Sequence, residues 1–372
     1  MTTGRGRVCR GCVSPLLTRV LDLGNVAVSD EFPFATTPVT AAETAHPLAM
    51  DLCATCGLAQ LAEDDTMPAE PRGVEPRALR DQAADAVTRV AAAGWLRGAT
   101  VREFGSPHGG TWLPLLGAHG FESVAGQADL VLDCFGVIHE PDQRAAFAAR
   151  AAATAPDGVL LLQFHSLRAI VTGGQWNALR HGHFGYYSLG VVGRLLATAE
   201  MSVAAAWEFD LYGGTILVAA VHGGAAPTAE VIRIFADEAG LSDPRVVGGL
   251  QRAADYDIRF LRDWLLAQAA LGRRVYAYGA ASRAVALFAA AGVRRELLAG
   301  VADAASAKHG RRMPGTDVPI ISPEELVAAR PDQVLLTLPD LLPELYDEFA
   351  ELRGKWVVPG VREGPIRTTA AL

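Results

Sequence analysis

The 372-residue sequence lacks long hydrophobic runs, an export signal and an excess of positive charge. No stretch of about 18 apolar residues occurs, and the opening MTTGRGRVCRGC has no apolar signal core, so neither a membrane helix nor secretion is predicted. Acidic residues number 41 and basic residues 33, which gives no support to a nucleic-acid-binding surface. We therefore expect a cytoplasmic protein that contacts neither membranes nor nucleic acid.

The sequence does contain enough apolar material for a large core. Hydrophobic residues make up 50% of the chain and charged residues 20%, a composition typical of folded rather than disordered proteins. Because a domain usually contains about 100–200 residues, the length predicts two or three domains.

Cysteine is scarce, but its spacing is informative. Four of the five cysteines form two Cys-x-x-Cys pairs, Cys9 with Cys12 and Cys53 with Cys56, while Cys134 stands alone in an apolar run. Two such pairs supply the four thiolates of a tetrahedral zinc site, which leaves no open position for catalysis. Two disulfides are the alternative, disfavoured in a chain without an export signal. We predict a structural zinc ion in an N-terminal module.

Strand and helix patterns alternate after this module. Apolar strands are predicted in TVREFG, ADLVLDCFGVI and GVLLLQFHSL, with helices in TWLPLLGAHG and DQRAAFAARAAATAP between them. EFDLYGGTILVAAV is predicted to form two strands joined near Gly213-Gly214, and a second alternation runs from RRVYAYGAASRAVALFAAAGV to KWVVPG. The pattern predicts an α/β fold with two Rossmann-like parallel-sheet domains preceded by the zinc module.

The first glycine-rich turn follows the strand TVREF. Its candidate ligand-binding residues are Glu103, Gly105 and Gly109. A strand, a glycine turn and a helix start together present backbone N–H groups to an anionic or polar ligand. An ordinary strand-to-helix turn without a ligand remains the alternative.

The second glycine turn contains Gly279, Ser282 and Arg283, again between a strand and a helix. Asp303 follows the next strand, at a spacing similar to that of dinucleotide-binding folds, but the second and third glycines of that fingerprint are missing. We therefore expect a nucleotide phosphate at this helix start, near Arg283, rather than NAD.

Titratable groups are densest in the segment RHGHFGYYS. It contains His181, His183, Tyr186 and Tyr187, which offer a general base near neutral pH and hydrogen-bond donors. His165 ends the preceding strand, at the edge where open α/β sheets place ligands, and is a further candidate. Alternatively, the segment is a polar loop whose aromatic rings pack against the sheet.

These motifs, in this order, resemble the sugar C-methyltransferases of antibiotic deoxysugar biosynthesis. CRGC with LAMDLCATCGLAQL is similar to the zinc module of that family, and QWNALRHGHFGYYSL to its catalytic segment. YAYGAASRAVAL and VADAASAKHGRRMPGT resemble its C-terminal domain. The resemblance implies three parts: a zinc module (1–72), a shortened methyltransferase-like domain (73–222), and a helical connector with a nucleotide-sugar-binding domain (223–372).

The resemblance also implies a reaction. A base, matching His183, removes the proton alpha to the C4 ketone of a nucleotide-linked sugar, and the enolate carbon attacks the methyl group of S-adenosylmethionine (SAM). A tyrosine or a second histidine steadies the enolate oxygen. The nucleotide sugar is expected to contact Gly279, Ser282, Arg283, Asp303 and Lys308.

The sequence departs from the family in two places. Arg180 and Gly182 stand where the family often carries tyrosine and glutamate, and the interval from Gly109 to Ala128 is too short for a strand, a helix and another strand. The acid that holds the ribose of SAM is therefore absent. Three alternatives stay open: a C-methyltransferase, a SAM-independent enzyme for enolisation, epimerisation, elimination or cyclisation, and a non-catalytic protein that binds a sugar nucleotide.

Overall fold

Residues 7–66, 77–105 and 110–358 are described by a computed structural model, and they form three β-sheets covered by helices. The strands are β1 (Leu17–Val26), β2 (His46–Cys53), β3 (Ala59–Leu61), β4 (Thr100–Phe104), β5 (Glu122–Ser123), β6 (Ala128–Cys134), β7 (Thr154–His165), β8 (Gly185–Tyr186), β9 (Met201–Phe209), β10 (Thr215–His222), β11 (Val275–Tyr278), β12 (Val301–Ala302), β13 (Ile320–Ile321), β14 (Gln333–Leu336) and β15 (Trp356–Val357).

The helices occupy the segments where apolar residues recur at helical spacing. They are α1 (Arg77–Ala92), α2 (Leu113–Ala118), α3 (Gln143–Ala153), α4 (Leu167–Thr172), α5 (Leu189–Ala197), α6 (Ala229–Asp237), α7 (Pro244–Val247), α8 (Gly249–Ala270), α9 (Ser282–Ala290), α10 (Pro323–Ala329) and α11 (Leu342–Glu348). None of the helices in the described ranges is long and apolar enough to cross a membrane.

The N-terminal sheet has the order β1-β2-β3-β8 and is antiparallel. Its last strand comes from far along the chain, since Ala59 pairs with Tyr186 and Gln60 with Gly185. The segment RHGHFGYYS is therefore anchored on the zinc module, although it follows the methyltransferase-like strands in sequence.

The central sheet has the order β5-β4-β6-β7-β10-β9. Strands β5, β4, β6 and β7 run parallel, whereas β10 is antiparallel to both β7 and β9. The predicted α/β class is confirmed, and the antiparallel edge arises because the short connection through Gly213-Gly214 joins β9 to β10 as a hairpin. Leu160, Leu161 and Leu162 of β7 are all buried, since helices cover both faces of the sheet.

The shortened interval of the central sheet holds one helix and one very short strand. Helix α2 is followed by β5, which pairs only Glu122 with Thr100 and Ser123 with Val101, and the chain then enters β6. The edge of the sheet beside β4 is therefore reduced to two paired residues.

The C-terminal sheet is parallel, with the order β13-β12-β11-β14-β15. The strand order reverses beside β11, the first strand of this sheet, so the carboxyl ends of β11 and β14 flank the crevice where doubly wound sheets bind ligands. Helix α8 precedes this sheet, and its buried residues Leu250, Leu261 and Leu265 recur at helical spacing. The predicted boundary at residue 222 follows β10 directly, and the one at residue 72 lies outside the described residues; both stay predictions.

Candidate active site

The four cysteines of the two Cys-x-x-Cys pairs meet in one cluster. Their sulfur atoms all lie within 4.8 Å of one another, with 3.5 Å between Cys9 and Cys56 and 3.6 Å between Cys12 and Cys53. Zinc bound tetrahedrally with bonds of about 2.3 Å would hold sulfur atoms about 3.8 Å apart. The cluster therefore fits a zinc ion, and four thiolates would complete its shell and make the site structural.

The backbone after each cysteine pair turns in the left-handed conformation. Gly57 follows Cys56 with φ +79°, and Val13 follows Cys12 with φ +62°. A β-branched residue is strained in that conformation, and the Val13 side chain is exposed and gains little packing. The knuckle of Cys9 and Cys12 is thus maintained at a conformational cost that four bonds to a metal would offset.

A cavity of about 210 Å³ lies where the carboxyl edges of the central and C-terminal sheets meet. Its wall is formed from the exits of β6 and β7, the turn before β8, the β9–β10 connection, the start of α9 and the chain after β14. The lining residues are Phe135, Ile138, His165, Ala178, Arg180, His183, Gly185, Tyr186, Tyr212, Ala281, Ser282, Arg283, Lys308 and Leu338. Both sheets thus present the edges at which parallel sheets bind ligands.

The backbone on both sides of His183 is held in place. Its own N–H donates to the Arg180 carbonyl at 3.3 Å, and the next N–H, of Phe184, donates to the Ile138 carbonyl at 2.6 Å. The N–H of Gly182 donates to a carboxylate oxygen of Asp64 at 2.8 Å. The zinc module and the β6 exit therefore both position this buried imidazole at the cavity.

His139 is a site residue that the sequence analysis missed. Its ring meets that of His183 edge-on, with 4.6 Å between the centroids. Burial, followed by the positive charge of Arg180, lowers the pKa of His139 to about 4, so this imidazole is neutral near pH 7. A histidine directly after the predicted strand ADLVLDC, in the exit GVIHEPD, was the signal that could have identified it.

His165 ends β7 and lines the same cavity. Burial, followed by the charge of Arg283, lowers the pKa of His165 to about 3. Among the described residues, nothing hydrogen-bonds to its Nε2 atom. A neutral imidazole with one uncommitted nitrogen can donate or accept a hydrogen bond from a bound molecule.

Two aromatic residues of the cavity wall have strained backbones. Phe135 has φ +63° and Tyr212 has φ +56°, and their ring centroids lie 6.1 Å apart. The guanidinium carbon of Arg283 lies 5.2 Å from the centre of the Tyr212 ring. A left-handed non-glycine residue costs about 1–3 kcal/mol and is found preferentially at functional sites. The strain supports a functional role for this wall.

The two neighbouring tyrosines point in different directions. Tyr186 lines the cavity, but its hydroxyl donates to the Ala178 carbonyl at 3.3 Å and accepts from the Arg180 N–H at 3.2 Å. Tyr187 is fully buried elsewhere in the core, where its hydroxyl bonds Gln143. Burial raises the pKa of both phenols, so both are neutral near pH 7.

His181 lies outside the cavity. Its Nε2 atom is 3.2 Å from the Pro47 carbonyl, and its ring meets that of His46 edge-on at 6.1 Å. The ring therefore packs against the zinc module, on the far side of the turn from His183.

The C-terminal sheet contributes Ser282, Arg283 and Lys308 to the cavity. The preceding turn requires glycine, because a Cβ atom on Gly279 (φ +93°) would lie 2.5 Å from Thr337 Oγ1. Asp303 does not line the cavity but supports this turn, since its carboxylate accepts from the N–H groups of Ala280 and Ala305, each at 2.8 Å.

Two carboxylates occupy the helix start where a phosphate was expected. The Asp303 carboxylate accepts a hydrogen bond from the Ala280 N–H, and the Ser282 hydroxyl donates to Asp30 of the N-terminal region. Lys308 Nζ donates to the Ala280 carbonyl at 2.9 Å and lies 3.6 Å from Asp303. An anion here would meet the side chains of Arg283 and Lys308, with the carboxylates of Asp30 and Asp303 close by.

The first glycine turn is described only in part, because Gly109 lies outside the described residues. The carboxylate of Glu103 accepts from the Trp112 N–H at 2.9 Å and from the Thr111 hydroxyl, so it holds the start of α2. A Cβ atom on Gly105 would meet nothing within 4 Å, which leaves open space at the end of β4.

The described residues offer SAM only part of a binding site. The open end of β4 at Gly105 fits the approach of a ligand, but β5 has two residues. No carboxylate follows it before β6, because the connecting residues are VAGQ. The segment that follows β5 therefore supplies no carboxylate to the ribose hydroxyls of SAM.

Two family models match this chain. The C-methyltransferase C-terminal domain matches residues 210–359, and a putative zinc binding domain matches residues 9–68. The C-methyltransferase NovU of Streptomyces niveus is 29% identical over 233 residues, which cover 61% of this chain and 55% of that protein. This chain thus spans little more than half the length of that relative.

Solved structures of methyltransferases resemble part of the chain at low similarity. Magnesium protoporphyrin IX methyltransferase from Synechocystis is 17% identical, with 41% of this chain and 90% of that chain covered and a TM-score of 0.29. The glycopeptide N-methyltransferase MtfA is 15% identical, with 43% and 90% covered and a TM-score of 0.29. Likenesses at this level carry no inference about activity.

Proposed function

We propose that this chain is an enzyme of the C-methyltransferase family and that it removes the proton alpha to the ketone of a nucleotide-linked sugar, with His183 as the base. The observation that carries the proposal is the shared cavity. His183, His165, Arg283 and Lys308 all line it. Acid–base groups thus share one cavity with cations that suit a diphosphate.

The proposed step moves one proton and one electron pair. His183 accepts the proton from the alpha carbon, the C–H electrons form the enolate double bond, and negative charge develops on the former carbonyl oxygen. The hydrogen bonds on both sides of His183 and the edge-on ring of His139 limit the orientations of the base. Such positioning lowers the barrier because the reacting groups are already aligned.

His165 is proposed to stabilise the enolate oxygen. In the tautomer with its proton on Nε2, the neutral ring donates a hydrogen bond to the developing charge. Its lowered pKa keeps it neutral and able to donate without competing for the substrate proton. Tyr186 is less suited to this role, because its hydroxyl already donates to the Ala178 carbonyl.

The nucleotide end of the substrate is proposed to lie against Arg283 and Lys308. A guanidinium binds phosphate oxygens in pairs, and an ammonium group adds a point charge. The stacking of Arg283 over Tyr212 and the bonds of Lys308 to the turn before α9 support both cations in place. The sugar would then reach toward His183.

Methyl transfer depends on whether SAM binds. When bound, SAM supplies an electrophilic methyl group, as the family implies. The segment after β5, however, has no carboxylate that could bind the ribose of SAM. The second candidate function, favoured by this observation, is proton transfer at the same carbon without a methyl donor, as in enolisation or epimerisation. The proposed role of the residues in this cavity ends at the enolate in both cases.

Solvent exchange tests the proton transfer. In deuterated water, the wild type should incorporate deuterium at the alpha carbon of a thymidine diphosphate-linked 4-ketosugar, and His183→Gln should slow the exchange by about 10²–10⁴-fold. His119→Gln, at an exposed position, is the matched control. If His183→Gln exchanges at the wild-type rate while His165→Gln is inactive, the base is His165.

Calorimetric titration with SAM and S-adenosylhomocysteine distinguishes the two candidates. We expect binding much weaker than micromolar, because the segment after β5 supplies no carboxylate to the ribose. Micromolar or tighter binding would favour C-methyl transfer. It would also contradict our inference that the lack of a carboxylate after β5 weakens the binding of SAM.

A further inference from the structure

The lining of the cavity is cationic and contains no carboxylate. Three positively charged side chains reach it, those of Arg180, Arg283 and Lys308. Lys308 is partly neutralised by Asp303 at 3.6 Å, and Arg283 packs over the ring of Tyr212. Arg180 differs from both, because its Nε atom is buried and has no hydrogen-bond partner within the described ranges.

A buried N–H donor without an acceptor is unfavourable, and a bound ligand can supply that acceptor. The charge of Arg180 acts on histidines from two strand exits, since it contributes to the lowered pKa of both His139 and His165 after burial. An anion beside Arg180 would accept a hydrogen bond from this Nε–H and offset the repulsion between the guanidinium and protonated histidines. No residue of the cavity lining carries a carboxylate that could do so, and a bound ligand could.

The backbone places Arg180 beside the base rather than beside the nucleotide cations. The His183 N–H donates to the Arg180 carbonyl at 3.3 Å, and the Arg180 N–H donates to the Tyr186 hydroxyl at 3.2 Å. Arg283 and Lys308 come instead from the C-terminal sheet. An anion at Arg180 therefore lies beside His183, at the reacting end of the proposed substrate.

We propose that Arg180 binds a carboxylate on the sugar end of the substrate, so that the chain selects acidic ketosugars over neutral ones. This inference rests on the proposed function, since it assumes that the sugar lies at His183. A planar guanidinium matches a carboxylate through two parallel hydrogen bonds, which makes Arg180 a specificity-determining residue.

Two sugar nucleotides that differ only at C6 test the proposal. UDP-glucuronate carries a carboxylate there and UDP-glucose a hydroxymethyl group, and calorimetry gives the dissociation constant of each. We expect the wild type to bind UDP-glucuronate at least about tenfold more tightly, the effect of one hydrogen bond to a charged group. Arg180→Met should abolish this preference and leave the affinity for UDP-glucose nearly unchanged, whereas Arg180→Lys should retain part of it.

Arg283→Met is the matched control at the start of α9. It should weaken the binding of both sugar nucleotides by a similar factor, because both carry the same diphosphate. Equal affinity of the wild type for the two ligands, or a preference that survives in Arg180→Met, would overturn the proposal.

Pyruvate gives a second readout that does not require a nucleotide. Titration of the wild type with pyruvate should shift the NMR signals of the His165 and His183 ring protons, and Arg180→Met should abolish the shift while Arg283→Met retains it. If neither sugar nucleotide binds, the deuterium exchange described above decides the proposed function, and the pyruvate titration decides the carboxylate site: unshifted wild-type signals would exclude it.

Discussion

Replacing Glu43 by glutamine tests the contact that joins the N-terminal module to the C-terminal sheet. Both guanidinium NH2 groups of Arg312 donate to the Glu43 carboxylate at 2.7 Å, and the Gly315 N–H donates to it at 2.8 Å. Arg312 is 1% exposed. Its guanidinium also bonds three main-chain oxygens, those of Thr37, Pro38 and Thr316.

Removing one partner of a buried ion pair costs about 3–5 kcal/mol, because the other charge stays buried. Glutamine keeps one acceptor and the three carbonyls remain, so we expect the lower end, about 3 kcal/mol. That loss should lower the midpoint of thermal unfolding by roughly 4–8 °C. Scanning calorimetry measures the midpoint, with Glu122→Gln on the exposed strand β5 as the control.

The pH dependence provides an independent check on the same pair. Burial raises the pKa of Glu43, but the hydrogen bonds from Arg312 and Gly315 outweigh it and hold the pKa below its usual value. A lowered pKa in the folded state gives stability that is fully present above the unfolded pKa of about 4.3 and is lost as pH falls through the folded pKa. The difference in the free energy of unfolding between wild type and Glu43→Gln should therefore be constant above about pH 5 and should decrease in more acidic solution. If the free energy of unfolding of Glu43→Gln lies within about 0.5 kcal/mol of that of the Glu122→Gln control at pH 7, the contact does not stabilise the fold.

Three further predictions concern the metal, the core and a histidine. The wild type should contain about one zinc per chain by metal analysis, and Cys53→Ser should be insoluble or unstable, because four thiolates couple metal binding to folding; a metal-free wild type with paired cysteines would contradict this. Tyr187→Phe should lower the free energy of unfolding by about 1–3 kcal/mol, since the Gln143 side chain loses its buried partner, while deuterium exchange stays near the wild-type rate; a large loss of exchange would give Tyr187 a role at the cavity. The pKa of His165 is lowered to about 3 in the folded state, whereas a histidine of the unfolded chain has a pKa of about 6.5. As pH falls below about 6.5, the unfolded chain therefore takes up a proton first, and the free energy of unfolding decreases by about 2 kcal/mol by pH 5. Urea unfolding at pH 7 and pH 5 should show a smaller difference in His165→Gln than in the wild type, and an unchanged difference would show that His165 does not titrate in this way.

Local patterns determined the features that depend on few neighbouring residues. The two Cys-x-x-Cys pairs predicted the cluster because each pair forms its own knuckle, so only one loop closure was left to infer. The strands and helices of both α/β sheets followed from period and composition, and the short interval before β6 predicted the reduced sheet edge from its length. The antiparallel edge of the central sheet depended on recognising the tight hairpin that joins β9 to β10.

The composition of the cavity was decided by the tertiary structure. Tyr186 and Tyr187 are adjacent in sequence, yet only Tyr186 lines the cavity, because successive side chains at a strand point to opposite faces. His139 and His165 reach the site because two parallel strands end at one edge of the sheet. The Ser282 hydroxyl is taken by Asp30, 252 residues away, a contact that exists only once the N-terminal region packs on the C-terminal sheet. Sequence spacing identifies the chemical groups, but which of them share a cavity depends on how the three sheets pack.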